Sequence, residues 1–444
     1  MMRVKVLPLA ESGVPGWIQL GSGVTPLPHR LEPARRTLAL PPAFLDTFGL
    51  ARGQDVHVYP ADEGRRLVIG PLIGIWVTPA ALRSWKRGVR VLNQEARRAG
   101  AIPFFFHMDG IDRAGGRIAG WTALEDGLRR VTMPLPDVIY NRATFPDLRQ
   151  RAAAREMRKA LVAEDAIAFV NVASGFPKWE TYQTLRFFAD TRSLVPETIR
   201  FGNRDELADF LSRHGLAFIK ADSGSHGTEV LRLRAVAGGW WVEGQVGERK
   251  IQTRVETFAR LAAVLQRWVA GSDWVVQQGI QLPRLQGRRW DLRIEVRKDG
   301  TGQWTVPMIL VRLGNPASVT TNISRGGKPF PLDDFRRRFG RQRHLEGLQE
   351  KATRVGLRVA FALEARFGSL GEIGVDMGVD PHGRPWVFEA NAKPQFGPSP
   401  RSHQVRGLME YAVHLALRSW AGRDAGMTLP APMSSSQRFR WRGP

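Results

Sequence analysis

Asp376, Glu389 and Asn391 are the side chains of this 444-residue sequence whose types and spacing most directly suggest joint chemistry. Glu372 to Asp380 alternates, with Ile373, Val375, Met377 and Val379 on one face and Gly374, Asp376, Gly378 and Asp380 on the other. Pro385 to Asn391 alternates as well, and Pro381-His382-Gly383-Arg384 between them reads as a four-residue hairpin loop. With Asp380 opposite Pro385, Asp376 falls opposite Glu389 at a Cβ separation of about 5 Å, and Asn391 follows on the same face. Opposed carboxylates repel unless a cation or a proton lies between them. Oxygen donors with no histidine or cysteine suit a hard cation, so Mg²⁺ or Mn²⁺ is expected rather than zinc. Gly374 and Gly378 are expected to leave the Asp376 face open to a bulky ligand. The alternative is a polar hairpin face that holds no metal.

Three further segments carry reactive or anion-binding types. Phe218-Ile219-Lys220-Ala221-Asp222 runs into Ser223-Gly224-Ser225-His226-Gly227-Thr228, a lysine-bearing strand entering a loop of small residues. Backbone N–H groups in such a loop can approach phosphate oxygens while the lysine supplies a point charge. A plain hairpin loop has the same composition, and no Walker A sequence occurs. Arg288 to Arg297 alternates too: Trp290, Leu292, Ile294 and Val296 face a core, while Asp291, Arg293, Glu295 and Arg297 face away. There Arg293 either clamps an anion rigidly or belongs to a solvated charged face. Asn322-Ile323-Ser324-Arg325-Gly326-Gly327-Lys328 is a glycine loop with two cations. The nine histidines show no metal spacing, and no nucleophile elbow accompanies them.

The elements that must position these residues follow from periodicity. Residues 1–73 read as short strands divided by Gly and Asp turns, a small β-rich domain. Residues 74–195 begin with apolar run, helical stretch and apolar run (72–77, 79–99, 102–106), the signature of a βαβ unit on a parallel sheet. Residues 196–423 mix antiparallel strand pairs with helices, an α+β domain. Thr253 and Glu256 read as a capping box opening a helix through Val269. Residues 424–444 are small, polar and basic, and read as a disordered tail.

Composition sets the bounds. The longest nearly apolar run, Leu67 to Val77, is far short of the roughly 20 residues that span a bilayer, so no membrane is expected. The N-terminus lacks the core of a signal peptide. No cysteine is present, which excludes disulfides, thiolate metal sites and a cysteine nucleophile, and agrees with a cytoplasmic setting. The net charge of +23 points toward anionic partners, yet 55 of the 65 basic residues are arginine and only ten are lysine. Such a bias is also what a GC-rich genome produces. Nucleic acid is therefore not expected as a partner; no binding motif supports it.

Taken in order, Lys220 with its small-residue loop, Val275-Val276-Gln277-Gln278-Gly279-Ile280, Asp291-Leu292-Arg293, Asn322 to Gly327, Asp376 and Glu389-Ala390-Asn391 form a succession that resembles the ATP-grasp superfamily over residues 196–420. The preceding βαβ region looks like that superfamily's usual N-terminal partner domain. Met133 to Arg142, Lys178-Trp179-Glu180, Val195-Pro196-Glu197-Thr198 and Phe388 to Pro394 are similar to the endospore coat-associated YheC/YheD-type family, a resemblance over nearly the whole chain.

The resemblance implies an α+β ATP-grasp fold behind a pre-ATP-grasp domain and a small N-terminal β-rich domain. It implies ATP and Mg²⁺ or Mn²⁺ as cofactors. Lys220 would contact the phosphates, and Ser223, Gly224, Ser225 and Gly227 would lie in the loop covering them. The backbone from Gln277 and Gln278 to Ile280 would read adenine, although many such hinges carry a glutamate where Gln278 stands. Asp376, Glu389 and Asn391 would hold the metal, Arg293 would stabilise the moving phosphoryl group, and Asp291 and Arg325 would complete the catalytic set. The activity implied is ATP-dependent carboxylate–amine ligation through an acylphosphate, linked to sporulation. Its partners would be small carboxylate and amine substrates or a peptide, together with spore coat proteins. A coat-associated structural protein that keeps the ATP-binding scaffold without turnover is the second reading.

Overall fold

Leu72–Trp76 and the first half of Ile102–Asp112 are apolar on both faces, which only a sheet covered on two sides can hide. The computed structural model describes residues 1–10, 13–145, 147–164, 167–223, 229–269, 273–315, 327–339, 347–396 and 402–424, and arranges them around four sheets. In the second sheet Leu72–Trp76 lies parallel to both Ile102–Asp112 and Val138–Asn141, with Ala168–Phe169 parallel at the edge. Helix Lys86–Arg98 lies in the connection between the parallel strands Leu72–Trp76 and Ile102–Asp112 and packs Val89, Leu92 and Ala96 on one face, joined there by Val405, Leu408 and Met409 of the long helix Ser402–Asp424. The helical stretch expected over 79–99 is broken at Trp85; its first turn, Pro79–Ser84, is capped by the Thr78 hydroxyl.

The first sheet has seven strands within residues 2–70, and its core is continuous with the other face of the second sheet: Val6, Ile69 and Phe44 share one cluster with Trp76, Phe104 and Ile139. Asp137 fastens this junction. Its Oδ2 accepts from Leu72 N at 2.8 Å and its Oδ1 from Trp420 Nε1 at 2.9 Å.

The third and fourth sheets form the two walls that matter for function. The third, in the order Thr198–Arg200, Trp274–Gln278, Leu216–Ala221, Glu229–Val236, Gly239–Val246, Arg249–Val255, is antiparallel throughout and backed by helices Arg204–Arg213 and Phe258–Trp268. The capping box expected at Thr253 is not formed. Thr253 pairs with Val242 inside a strand that runs to Val255, and Thr257 caps the helix by accepting from Arg260 N at 3.3 Å. Cross-strand pairing there outweighs the local capping pattern. The fourth sheet sets Lys328–Pro331, Trp304–Leu313, Arg288–Lys298, Glu372–Val379 and Pro385–Asn391 side by side, with helix Leu348–Phe367 behind it. No described helix is long and apolar enough to cross a membrane.

Candidate nucleotide and metal site

Alternation carries Asp376 to the centre of the fourth sheet, where it stands opposite Glu389 on one neighbour and Arg293 on the other. The Glu389 pairing arises differently from the expected hairpin. The loop has five residues, Asp380 to Arg384, with Val379 opposite Pro385, and a bulge at Phe388 shifts the register by one before Glu389. Asp380 closes the loop by accepting from His382 N, Arg384 N and Trp386 Nε1 at 2.9–3.0 Å. Tyr182 donates to the bulged Phe388 carbonyl at 2.7 Å.

The glycines beside Asp376 do not clear space for a ligand. A Cβ on Gly378 would lie 2.5 Å from the Phe388 ring and 2.6 Å from Leu282, and one on Gly374 3.0 Å from Pro394. They admit neighbouring side chains of the protein itself. Nor does the polar side of Arg288–Lys298 face solvent: Asp291, Glu295 and Arg297 are all buried, because a second layer of protein covers that side.

What Asp376 meets is a chain of ion pairs. Arg293 grips it through Nε and through Nη2, the latter at 3.1 Å, and Arg312 Nη1 reaches the same carboxylate at 3.1 Å. Arg312 holds Asp291 by two bonds of 2.6 and 2.7 Å, so Asp291 orients Arg312 and has no exposed oxygen face of its own. Burial would raise the Asp376 carboxyl, but the Arg293 and Arg312 guanidiniums more than reverse this and hold it below the usual carboxylate range.

From the third sheet Lys220 points into the same space. Its Nζ donates to Gln277 Oε1 at 2.6 Å, and burial, set against the nearby Glu389, brings the ammonium down to about 8. Gln277 is buried, its amide bridging Lys220 and Thr198 Oγ1, while Gln278 turns to the Glu197 backbone. Lys178, at the start of helix Lys178–Phe187, completes the cluster with Nζ 3.7 Å from Glu389 Oε1. The helix start is locked to the Lys220 strand's end: Lys178 N donates to Asp222 O and Trp179 N to Asp222 Oδ1. Lys178 belongs to the Lys178-Trp179-Glu180 stretch that carries part of the family resemblance, yet the sequence assigns it no role in the site. Arg312 was equally hidden, since it meets Asp376 only once two strand registers are set. Ser223 is described and exposed; Gly224, Ser225, Gly227, Asn322 and Arg325 lie outside the described residues. A cavity of 720 Å³ lined by Trp179, Phe188, Arg200 and Asp222 opens on the other face of the Lys178 helix.

A family model described as YheC/D like ATP-grasp matches residues 166–415, more than half of the sequence. The chain belongs to the YheC/D-like ATP-grasp family. It is similar, at 27% identity over 373 residues, to the endospore coat-associated protein YheD of Bacillus subtilis (strain 168), covering 80% of this chain and 81% of the relative. The endospore coat-associated protein YheC of the same organism is 23% identical over 266 residues, 59% of this chain and 71% of its own. Among solved structures the chain is similar to the ATP-grasp ligase PsnB complexed with minimal precursor, at 16% identity and a TM-score of 0.45, covering 79% and 98% of the two chains.

An ATP-grasp fold implies ATP and a divalent cation, and the side chains present in this YheC/D-like protein fit such a cation. Asp376, Glu389 and Asn391 offer oxygen atoms from adjacent strands, the hard donors that such a cation takes. Among the described residues there is no cluster of three or more His, Cys, Asp or Glu, so any site depends on the asparagine.

A second buried network ties the parallel sheet to these strands. Asn171 uses its whole amide: Oδ1 accepts from Gly371 N and Glu372 N at 2.7 and 3.0 Å, and Nδ2 donates to the carbonyls of Glu372 and Ala392 at 2.8 and 2.7 Å. Tyr140 and Arg142, at the end of a parallel strand, both donate to Glu372 Oε1 at 2.8 Å. The strands bearing Asp376 and Asn391 are therefore held from the neighbouring sheet.

Proposed function

We propose that this protein is an ATP-dependent carboxylate–amine ligase that works through an acylphosphate. The observation that carries the reading is the convergence of Lys178 and Lys220 from one wall with Glu389 and Asp376 from the other. Two ammonium groups facing two carboxylates across a cleft suit a polyphosphate bound together with a cation. Asp376, Glu389 and Asn391 would hold Mg²⁺ or Mn²⁺, which would supply positive charge to neutralise the phosphates during transfer. In the first step a substrate carboxylate oxygen attacks the γ-phosphorus and the bond to ADP breaks. In the second an amine nitrogen attacks the acyl carbon, phosphate leaves, and the amine loses a proton. Arg293, within reach of the site through Asp376, supplies a fixed positive charge for the phosphoryl oxygens, and Lys178 and Lys220 hold the nucleotide. No nucleophile from the protein is required.

The names of the relatives add a setting. YheD and YheC are endospore coat-associated by name; we propose that this chain too acts in sporulation, with the cytoplasm or the spore coat as its place. A second reading, a coat-associated scaffold that binds nucleotide without turnover, is favoured by one observation: Asp376 already has full arginine partners. The deciding measurement is Mg²⁺-dependent release of ADP and phosphate across a panel of carboxylates, amines and peptides. Stimulated release establishes the ligase. Nucleotide binding with no release across the panel supports the scaffold.

A further inference from the structure

The wall that carries Lys220 continues outward into cations that the chemistry above leaves unused. Ala217, Ile219, Leu231, Leu233 and Val242 turn to the helices behind the third sheet, so Lys220, Arg232, Arg234, Trp241 and Glu243 share the opposite, cleft-side face. Arg232 stands opposite Glu243 and Arg234 opposite Trp241. From the other wall come Arg284 and Arg289, direct partners in the short hairpin that leads into the Arg293 strand.

These four guanidiniums are close enough to repel one another. Burial, and then Arg289, Arg234 and Arg284, bring Arg232 down to about 10; burial, and then Arg284 and Arg234, lower Arg289. The compensating carboxylate is Glu243, ion-paired with Arg232. Arg232 Nε is buried without a hydrogen-bond partner, and among the described residues the guanidiniums of Arg234 and Arg289 have no hydrogen-bond or ion-pair partner. Arg234 and Arg284 are exposed at the mouth, while Arg232 and Arg289 are half-buried behind them. An anion entering this face would be attracted by several guanidiniums at once.

The spacing says which anions. Arg232 and Arg234 are alternate residues of one strand, about 7 Å apart, which is also the repeat of same-side residues in any extended peptide. A guanidinium takes a carboxylate in two parallel hydrogen bonds, so a row of acidic side chains would match the row of arginines. We propose that the carboxylate substrate is an extended acidic peptide, its neighbouring carboxylates gripped by Arg232, Arg234, Arg284 and Arg289 while one carboxylate reaches the phosphoryl end of the cleft. The reacting carboxylate rests on the ligase reading; the peptide grip rests on the arginines alone.

Fluorescein-labelled tetraglutamate, titrated into the full chain by anisotropy beside labelled tetraglutamine, tests it without requiring turnover. Tetraglutamate should bind at least tenfold more tightly, and Arg234→Gln or Arg284→Gln should each weaken it about tenfold, the loss expected for one charge-assisted contact. ATP affinity should stay within about twofold of wild type in both variants, which also reports that they fold. Equal binding of the two peptides, or variants that bind tetraglutamate like the wild type, overturns the proposal. So does a parallel tenfold loss of ATP affinity, which would make the arginines part of the nucleotide site, and so does tighter arginine-dependent binding of an RNA oligomer of equal charge. Arginine-dependent peptide binding with no ADP release would sustain the grip and remove the ligase reading. ADP release on small monoacids with no peptide preference would do the reverse.

Discussion

Replacing Asp376 by asparagine would leave Arg293 and Arg312 facing an uncharged amide inside the protein, with Asp291 alone to balance Arg312. Removing one partner from a buried ion-pair set costs about 3–5 kcal/mol, so Asp376→Asn should move the denaturant midpoint sharply downward and also lose Mg²⁺-dependent ATP binding. Glu389→Gln separates the two effects. Its side chain is 29% exposed, so stability should change by about 1 kcal/mol or less while metal dependence is lost. An unchanged response to Mg²⁺ in Glu389→Gln would dismiss the metal assignment. Lys220 gives a pH signature. Its folded value of about 8 lies below the ordinary 10.5, so the buried charge weakens the fold below pH 8. That penalty fades as pH rises toward the unfolded value, and the apo protein gains stability over the interval. If Lys220 holds the phosphates as proposed, binding favours the ammonium form and affinity should fall as pH climbs past 8. Lys220→Arg, cationic throughout, should flatten the profile in an equilibrium binding titration.

At the scale of elements, the hairpin that carries the metal-binding candidates depends on its bulge. Tyr182→Phe removes one hydrogen bond to the Phe388 carbonyl, about 1 kcal/mol in a thermal or chemical melt, and should weaken Mg²⁺ binding beyond that figure by loosening Glu389. Gly378→Ala should destabilise by about 1–3 kcal/mol, because the Phe388 ring and Leu282 occupy the methyl's place. The same hairpin shows what was legible in the residues. Alternation and a turn were enough to put Asp376 opposite Glu389. The five-residue loop and the bulge cancel, so a wrong loop length still led to the observed pair. The partners of Asp376 were not legible, because Arg312 reaches it only through the register of Trp304–Leu313 against Arg288–Lys298. Lys178 was hidden for a similar reason, its meeting with Glu389 being set by a helix start docked on Asp222. Local patterning likewise suggested a cap at Thr253, where pairing with Val242 prevailed. Sequence periodicity therefore reports which side a residue faces, whereas the identity of what it faces is settled by packing between segments far apart in the chain.

For the whole molecule, the shared core of the first two sheets predicts that these two sheets melt together. Trp420→Ala removes an indole that packs on Ala61 and Val68 and donates to Asp137, a change worth about 3–5 kcal/mol. It should lower a single transition seen by both far-ultraviolet and near-ultraviolet dichroism; a separate early transition would mean that the first sheet is an independent unit. The arginine pairs at Asp376 bear on the protein's existence before it has met any ligand. A newly made chain that closes around this cleft leaves Asp376 no bare charge, since guanidiniums from its own strands already neutralise it. On the proposed function, maturation of the chain would be uncoupled from the supply of nucleotide, and its first encounter with one would be an exchange of counter-charges within a finished interior.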